Sequence, residues 1–174
     1  MAKAKKAPPV PNPTHKSLKP DGSKNNKGSY YRRLEDIERG LKEIDKSKMP
    51  TGGRFLFLYY GCEKLGKGIV GIAREWEADD AYDPDRNLHL NEVQDAAQKM
   101  KLAIPDIVLK GLFVGKDKAS VRYWRNEIAH NFGPWNVENV VKHSATMNEK
   151  MHDFLKEYTP PVLTYLKKHH SHLL

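Results

Sequence analysis

From residue 30 onward, apolar side chains recur at steps of three and four, and no stretch alternates in the two-residue rhythm of a strand. Tyr31, Leu34, Ile37, Leu41 and Ile44 predict a helix over Tyr30 to Lys46, with Ser29 placed to cap its first turn. Pro50-Thr51-Gly52-Gly53 predicts a break. Phe55, Leu58, Cys62, Leu65, Ile69 and Ile72 then form one stripe, widened by Leu56, Tyr59 and Tyr60, and predict a helix central to the core. Asn91 with Gln94 reads as a capping pair for a helix running to Leu102. Ile104 to Leu112 predicts a short helix with Pro105 in its first turn. Gly115 and Asp117 open the next helix, whose buried edge is Val121, Trp124 and Ile128; Phe132 closes it before Gly133-Pro134. A last long helix follows Asn136, with Val140, Val141, Met147, Met151, Phe154 and Leu155 turned inward. Pro160-Pro161 is expected to interrupt it and leave Val162, Leu163, Tyr165 and Leu166 as a separate closing segment. The fold class expected is an all-α, up-and-down bundle of five to six helices with short connections.

Length and charge refine this picture. The chain has 174 residues, enough for one domain with a real core. Its formal charge is +8, from 30 Lys and Arg against 22 Asp and Glu. Lys3, Lys5, Lys6, Lys16, Lys19, Lys24 and Lys27 concentrate that excess in the first 28 residues, where Asp21 is the one acid. Residues 1–28 are therefore expected to be a disordered basic tail, and residues 29–174 the helical domain. Basic excess favours a polyanion such as RNA through counterion release. No run of about twenty apolar residues is present, so no membrane helix is expected. The N-terminus lacks the apolar core of a secretory signal, which makes the cytoplasm the expected location. Cys62 is a lone cysteine, expected to be an inert core thiol.

No cofactor and no metal are expected. His169, His170 and His172 fall in a terminus expected to fray, with no carboxylate nearby. His89 lies among the acids of residues 75 to 90, a stretch expected to be a solvated loop because it lacks the Gly and closing Glu of a calcium-binding hand.

The chemistry concentrates in Arg125-Asn126-Glu127-Ile128-Ala129-His130. On a helix, Arg122, Asn126 and His130 stack on one face, and His130 sits in the last turn, where outward carbonyls favour an imidazolium. Asn126, one turn earlier, is placed to hydrogen-bond the ring. Arg125 lies five residues from His130, about 140° around the helix, so the two converge poorly within one helix. A second copy across a twofold axis solves this better, since each groove then holds two His and two Arg. Histidine suits proton transfer and arginine a phosphate. RNA supplies its own nucleophile, the 2′-OH. An enzyme need only deprotonate it, protonate the 5′-oxygen and stabilise the phosphorane. Arg122 is a possible supporting cation. Glu63 is either paired in solvent with Lys67 one turn on, or an acid pointing at the groove. Lys116 and Lys118 flank the helix start as possible RNA contacts, and Trp135 is a possible base-stacking ring.

RNEIAHNF, on the penultimate long helix of a small all-α domain, resembles the signature of the HEPN superfamily, which centres on Arg-x(4–6)-His, often with a polar residue such as Asn126 directly after the Arg. FLFLYYGCEKLGKGIV also resembles that family's core helix, and the likeness covers roughly residues 29 to 160. The resemblance implies a metal-independent endoribonuclease acting as a homodimer, with Arg125 and His130 catalytic and Asn126 supporting. It also implies a toxin or phage-defence effector, with an antitoxin or regulatory protein as a possible partner. Some family toxins carry Arg-x4-His-x-Tyr, whose tyrosine is modified; Phe132 stands there in this chain, and the acidic loop and basic tail are not part of the common pattern. Two alternatives remain: a non-catalytic HEPN-like module that binds RNA or protein, and an effector-sensing bundle in which Arg125 and His130 hold phosphate without cutting it.

Overall fold

Local signals and tertiary contacts divide the work of building this fold. A computed structural model describes residues 29–83, 85–115, 120–130 and 134–174, without the side chains of residues 128, 129, 134–137 and 140. The expected basic tail lies outside the described residues, as do Lys116, Asp117, Lys118, Phe132 and Gly133. Seven α-helices follow one another among the described residues: α1 (Tyr30–Lys46), α2 (Thr51–Ala73), α3 (Ala78–Ala81), α4 (Leu90–Lys99), α5 (Asp106–Phe113), α6 (Val121–His130) and α7 (Pro134–His169). A 3-10 turn, Ser171–Leu173, ends the chain. The all-α class is as expected, but the described residues hold seven helices rather than five to six, because α3 forms within the stretch expected to be a solvated loop, where Ala81 and Leu88 are buried. No helix among the described residues is long and apolar enough to cross a membrane.

Helix α1 has its expected bounds. The Ser29 side chain accepts from the Arg32 amide at 3.3 Å, a cap worth about 1 kcal/mol. The core face is Tyr30, Leu34, Ile37, Leu41 and Ile44. Tyr30 rather than the expected Tyr31 is fully buried, and its hydroxyl donates to the Trp76 carbonyl at 3.0 Å.

Helix α2 is the centre of the molecule, packed along α7 and against α1, α4 and α3. Phe55, Leu58, Cys62, Leu65, Ile69 and Ile72 are all buried as expected, each large side chain contributing roughly 1.5–3 kcal/mol. Burial and a bond toward the Met151 carbonyl make Cys62 a core thiol, and burial pushes its pKa well up. The helix starts earlier than its glycines suggest. Thr51, Gly52 and Gly53 are helical because tertiary contacts hold them: Asn148 Nδ2 donates to the Thr51 carbonyl at 3.1 Å, and Arg54 pairs with Asp45 at 3.1 Å.

Three further expectations need correction. Helix α4 is capped by His89 and Glu92, not by Asn91 and Gln94; the Glu92 carboxylate accepts the His89 amide, while Gln94 bonds to Asp106 at 2.9 Å. Pro160-Pro161 does not interrupt α7, which runs 36 residues through them. Both prolines face solvent, as do Lys156 and Glu157, whose carbonyls lose their helical partners. Phe154, Leu155 and Tyr158 before the pair, and Val162, Leu163 and Leu166 after it, are buried and keep the two halves collinear on the core. Val141 on the same helix is exposed rather than inward. The C-terminus, too, is folded back rather than frayed: His170 is buried, and its amide bonds to the Leu166 carbonyl at 2.9 Å.

Candidate active site on the sixth helix

Helix α6 is short and held at both its start and its flank. Ser120, fully buried, donates to the Val114 carbonyl and accepts the Tyr123 amide at 3.1 Å, so this serine starts the helix. Val121 and Trp124 form the buried edge, as the spacing predicts. Trp124 packs edge-on against Tyr123 and stacks on the exposed His143 of α7 at 5.5 Å.

Arg122 was a candidate supporting cation, and the structure gives it another task. Its Nη1 donates to the Leu88 carbonyl at 2.7 Å and to the Phe113 carbonyl at 3.1 Å. A charged donor shared between two carbonyls clamps α6 to the loop before α4 and to the end of α5. Arg122 therefore ties the scaffold together while its charge still acts on Tyr59 at the candidate site.

Arg125 is half-buried and oriented from two sides. Its Nη1 donates to Asn126 Oδ1 at 3.0 Å, and its guanidinium lies 5.5 Å from the Tyr59 ring centroid on α2. The Asn126 oxygen thus serves the arginine, and its Nδ2 faces Gly115, where an added Cβ would sit 3.5 Å away. Asn126 was expected to steady the His130 ring; the bond it makes here instead fixes the arginine.

Tyr59 is the residue that sequence reading missed. The spacing marks it only as extra apolar surface. It is buried beneath Arg125, and its hydroxyl is held neutral: burial raises its pKa most, the Glu63 charge adds to that, and Arg125 and Arg122 oppose it. Its signal was present in principle, since Tyr59 and Glu63 are four apart on one helix face. Glu63 pairs with Lys67 at 3.7 Å, as one reading expected, but the lysine is buried and donates to the Asp83 carbonyl at 2.8 Å. The pair is therefore only half in solvent, and the carboxylate charge also acts on the Tyr59 hydroxyl.

His130 ends the helix with its side chain exposed. Arg125 leans toward α2, and the structure brings together Arg125, Asn126, Tyr59 and the charges of Glu63 and Arg122. It joins no described contact between Arg125 and His130. The two remain five residues apart on one helix, about 7.5 Å along the axis and about 140° around it. Lys116 and Lys118 lie outside the described residues, as does the side chain of Trp135. A site of this kind can hold one anionic group on an immobilised guanidinium and present an imidazole to solvent at the helix end. Comparison with family models, with curated proteins and with solved structures found no match to this chain.

Proposed function

We propose that this chain is a metal-independent endoribonuclease of the HEPN type, in which two copies of α6 assemble one cleavage site. The observation that carries the reading is a half-buried Arg125 pinned by Asn126 and Tyr59 on a helix that ends in the exposed His130. A guanidinium already fixed loses little entropy when it meets a phosphate. An exposed imidazole at a helix C-terminus is free to exchange protons with a substrate.

The reaction follows from those groups. A neutral His130 imidazole takes the proton of the ribose 2′-OH, whose oxygen attacks phosphorus. Arg125 stabilises the charge that gathers on the phosphorane oxygens. The His130 imidazolium of a second copy gives its proton to the departing 5′-oxygen, leaving a 2′,3′-cyclic phosphate and a 5′-hydroxyl. Two histidines are needed because one ring cannot accept and donate in the same step. In a cell, such an activity fits a toxin or phage-defence effector restrained by a regulatory protein.

RNA incubated with the purified chain in EDTA tests the proposal. Cleavage to cyclic-phosphate ends is expected, falling by roughly 10²–10⁴ in Arg125→Ala and in His130→Ala. A His130→Ala variant that cuts at the wild-type rate overturns it. RNA binding that weakens with salt, without any cleavage, assigns the chain to a non-catalytic binding module.

A further inference from the structure

We propose that Glu75, His170 and His172 form a binding site for one divalent transition-metal ion, with zinc the first candidate. Glu75 follows the end of α2, and the two histidines follow the end of α7, so the site lies where the two longest helices finish. One ligand atom from each residue lies within 4.8 Å of the other two. Zinc bonds of about 2.0–2.2 Å require ligand atoms about 3.5 Å apart, a closure of roughly 1 Å that side-chain rotation can supply.

The observation that points to a ligand is His170. It is 7 % exposed, its Nδ1 is buried without a hydrogen-bond partner, and its backbone is fixed on both sides by 2.9 Å bonds to Leu166 and Leu173. A buried ring nitrogen with no partner is costly unless something binds it. Glu75 is placed beside it by its backbone. Trp76 N–H bonds to the Gly71 carbonyl at 2.9 Å and Glu75 N–H to the Ile72 carbonyl at 3.1 Å, which defines a helix end whose left-handed position normally holds glycine. Glu75 occupies it at φ 59°. Lys101 adopts the same conformation at φ 55°, so the backbone does not itself call for a ligand; it fixes where the Glu75 side chain leaves the helix end.

The nearby Lys99 ammonium is engaged with the Ala73 carbonyl. Two imidazoles and one carboxylate suit zinc, cobalt or nickel over magnesium, and they leave a fourth position for water. Tyr59 is about 21 Å along α2 from Ala73, so the ion would brace the helix ends without touching the candidate cleavage site.

The test uses the full chain stripped with EDTA, titrated calorimetrically with zinc chloride and melted with and without it. One zinc per chain and a Tm rise of about 5 °C are expected, with no rise from magnesium. Glu75→Gln and His172→Ala should each weaken zinc at least 10-fold. Glu75→Gly should raise the metal-free Tm by relieving the left-handed backbone, yet remove the zinc-dependent rise. Absence of a zinc-dependent rise in the wild type overturns the proposal. So does undiminished binding in Glu75→Gln, which would leave only adventitious chelation by the terminal histidines.

Discussion

At the scale of single residues, the candidate site depends on how Arg125 is held. The Asn126 amide oxygen and the Tyr59 ring fix the guanidinium before any substrate arrives. Asn126 is thus a positioning residue, which separates its effect from that of a charge. Asn126→Ala leaves the charge of the site unchanged, so salt-sensitive RNA affinity should stay within about 2-fold while cleavage falls roughly 10-fold. Parallel affinity and rate measurements check this, and an equal loss in both would assign Asn126 to binding instead. Arg125, Asn126 and His130 could be named as candidates from the sequence because they share one short segment, but the Asn126 bond to Arg125 rather than His130 could not. Nor could Tyr59 beneath Arg125, or Glu75 beside His170. Each of those pairs joins residues more than sixty positions apart, and no local spacing encodes such a meeting.

Among the elements, agreement between sequence and structure follows the balance of local and tertiary forces. Helix α1 carries its own cap and one clean apolar stripe, so its bounds could be read directly. The start of α2 and the passage of α7 through Pro160-Pro161 could not. In both places distant contacts hold a segment helical against its intrinsic preference. Helix α2 also shows why its glycines matter. A Cβ at Gly71 would stand 2.5 Å from the Ala81 Cβ and would also collide with the Tyr30 hydroxyl, both of them buried. Gly71→Ala should therefore cost about 1–3 kcal/mol through overpacking, in spite of alanine's better helix propensity. Chemical denaturation measures it; a variant at least as stable as wild type would mean that α1 and α3 can shift to make room.

Across the whole molecule, buried tyrosines tie stability to alkaline pH. Burial raises the pKa of Tyr30, Tyr59 and Tyr82 above the ordinary value near 10, with acidic neighbours adding to the effect at Tyr30 and Tyr59. The folded values exceed the unfolded ones, so this contribution is fully present below about pH 10 and is lost as pH rises beyond it. Melting temperature should hold steady to about pH 9.5 and then fall; of the eight tyrosines, the exposed ones ionise in the folded chain, and the remaining phenolate absorbance should appear only with unfolding. Ionisation of all eight tyrosines in a chain that stays fully folded would contradict the burial of these rings. The all-α architecture was legible because helical periodicity dominates the described chain. The proposed twofold contact rests on the five-residue spacing of Arg125 and His130, since one chain contains no such contact.

That contact is the central claim: two copies of His130 share one cleavage site. Wild type mixed with His130→Ala, after subunit exchange, tests it most directly. If both histidines are required, only wild-type pairs cut, and an equal mixture retains about one quarter of the activity of an all-wild-type sample at the same total protein. Retention of about one half, falling in proportion to the wild-type fraction, would contradict the shared site and place the whole reaction on one chain.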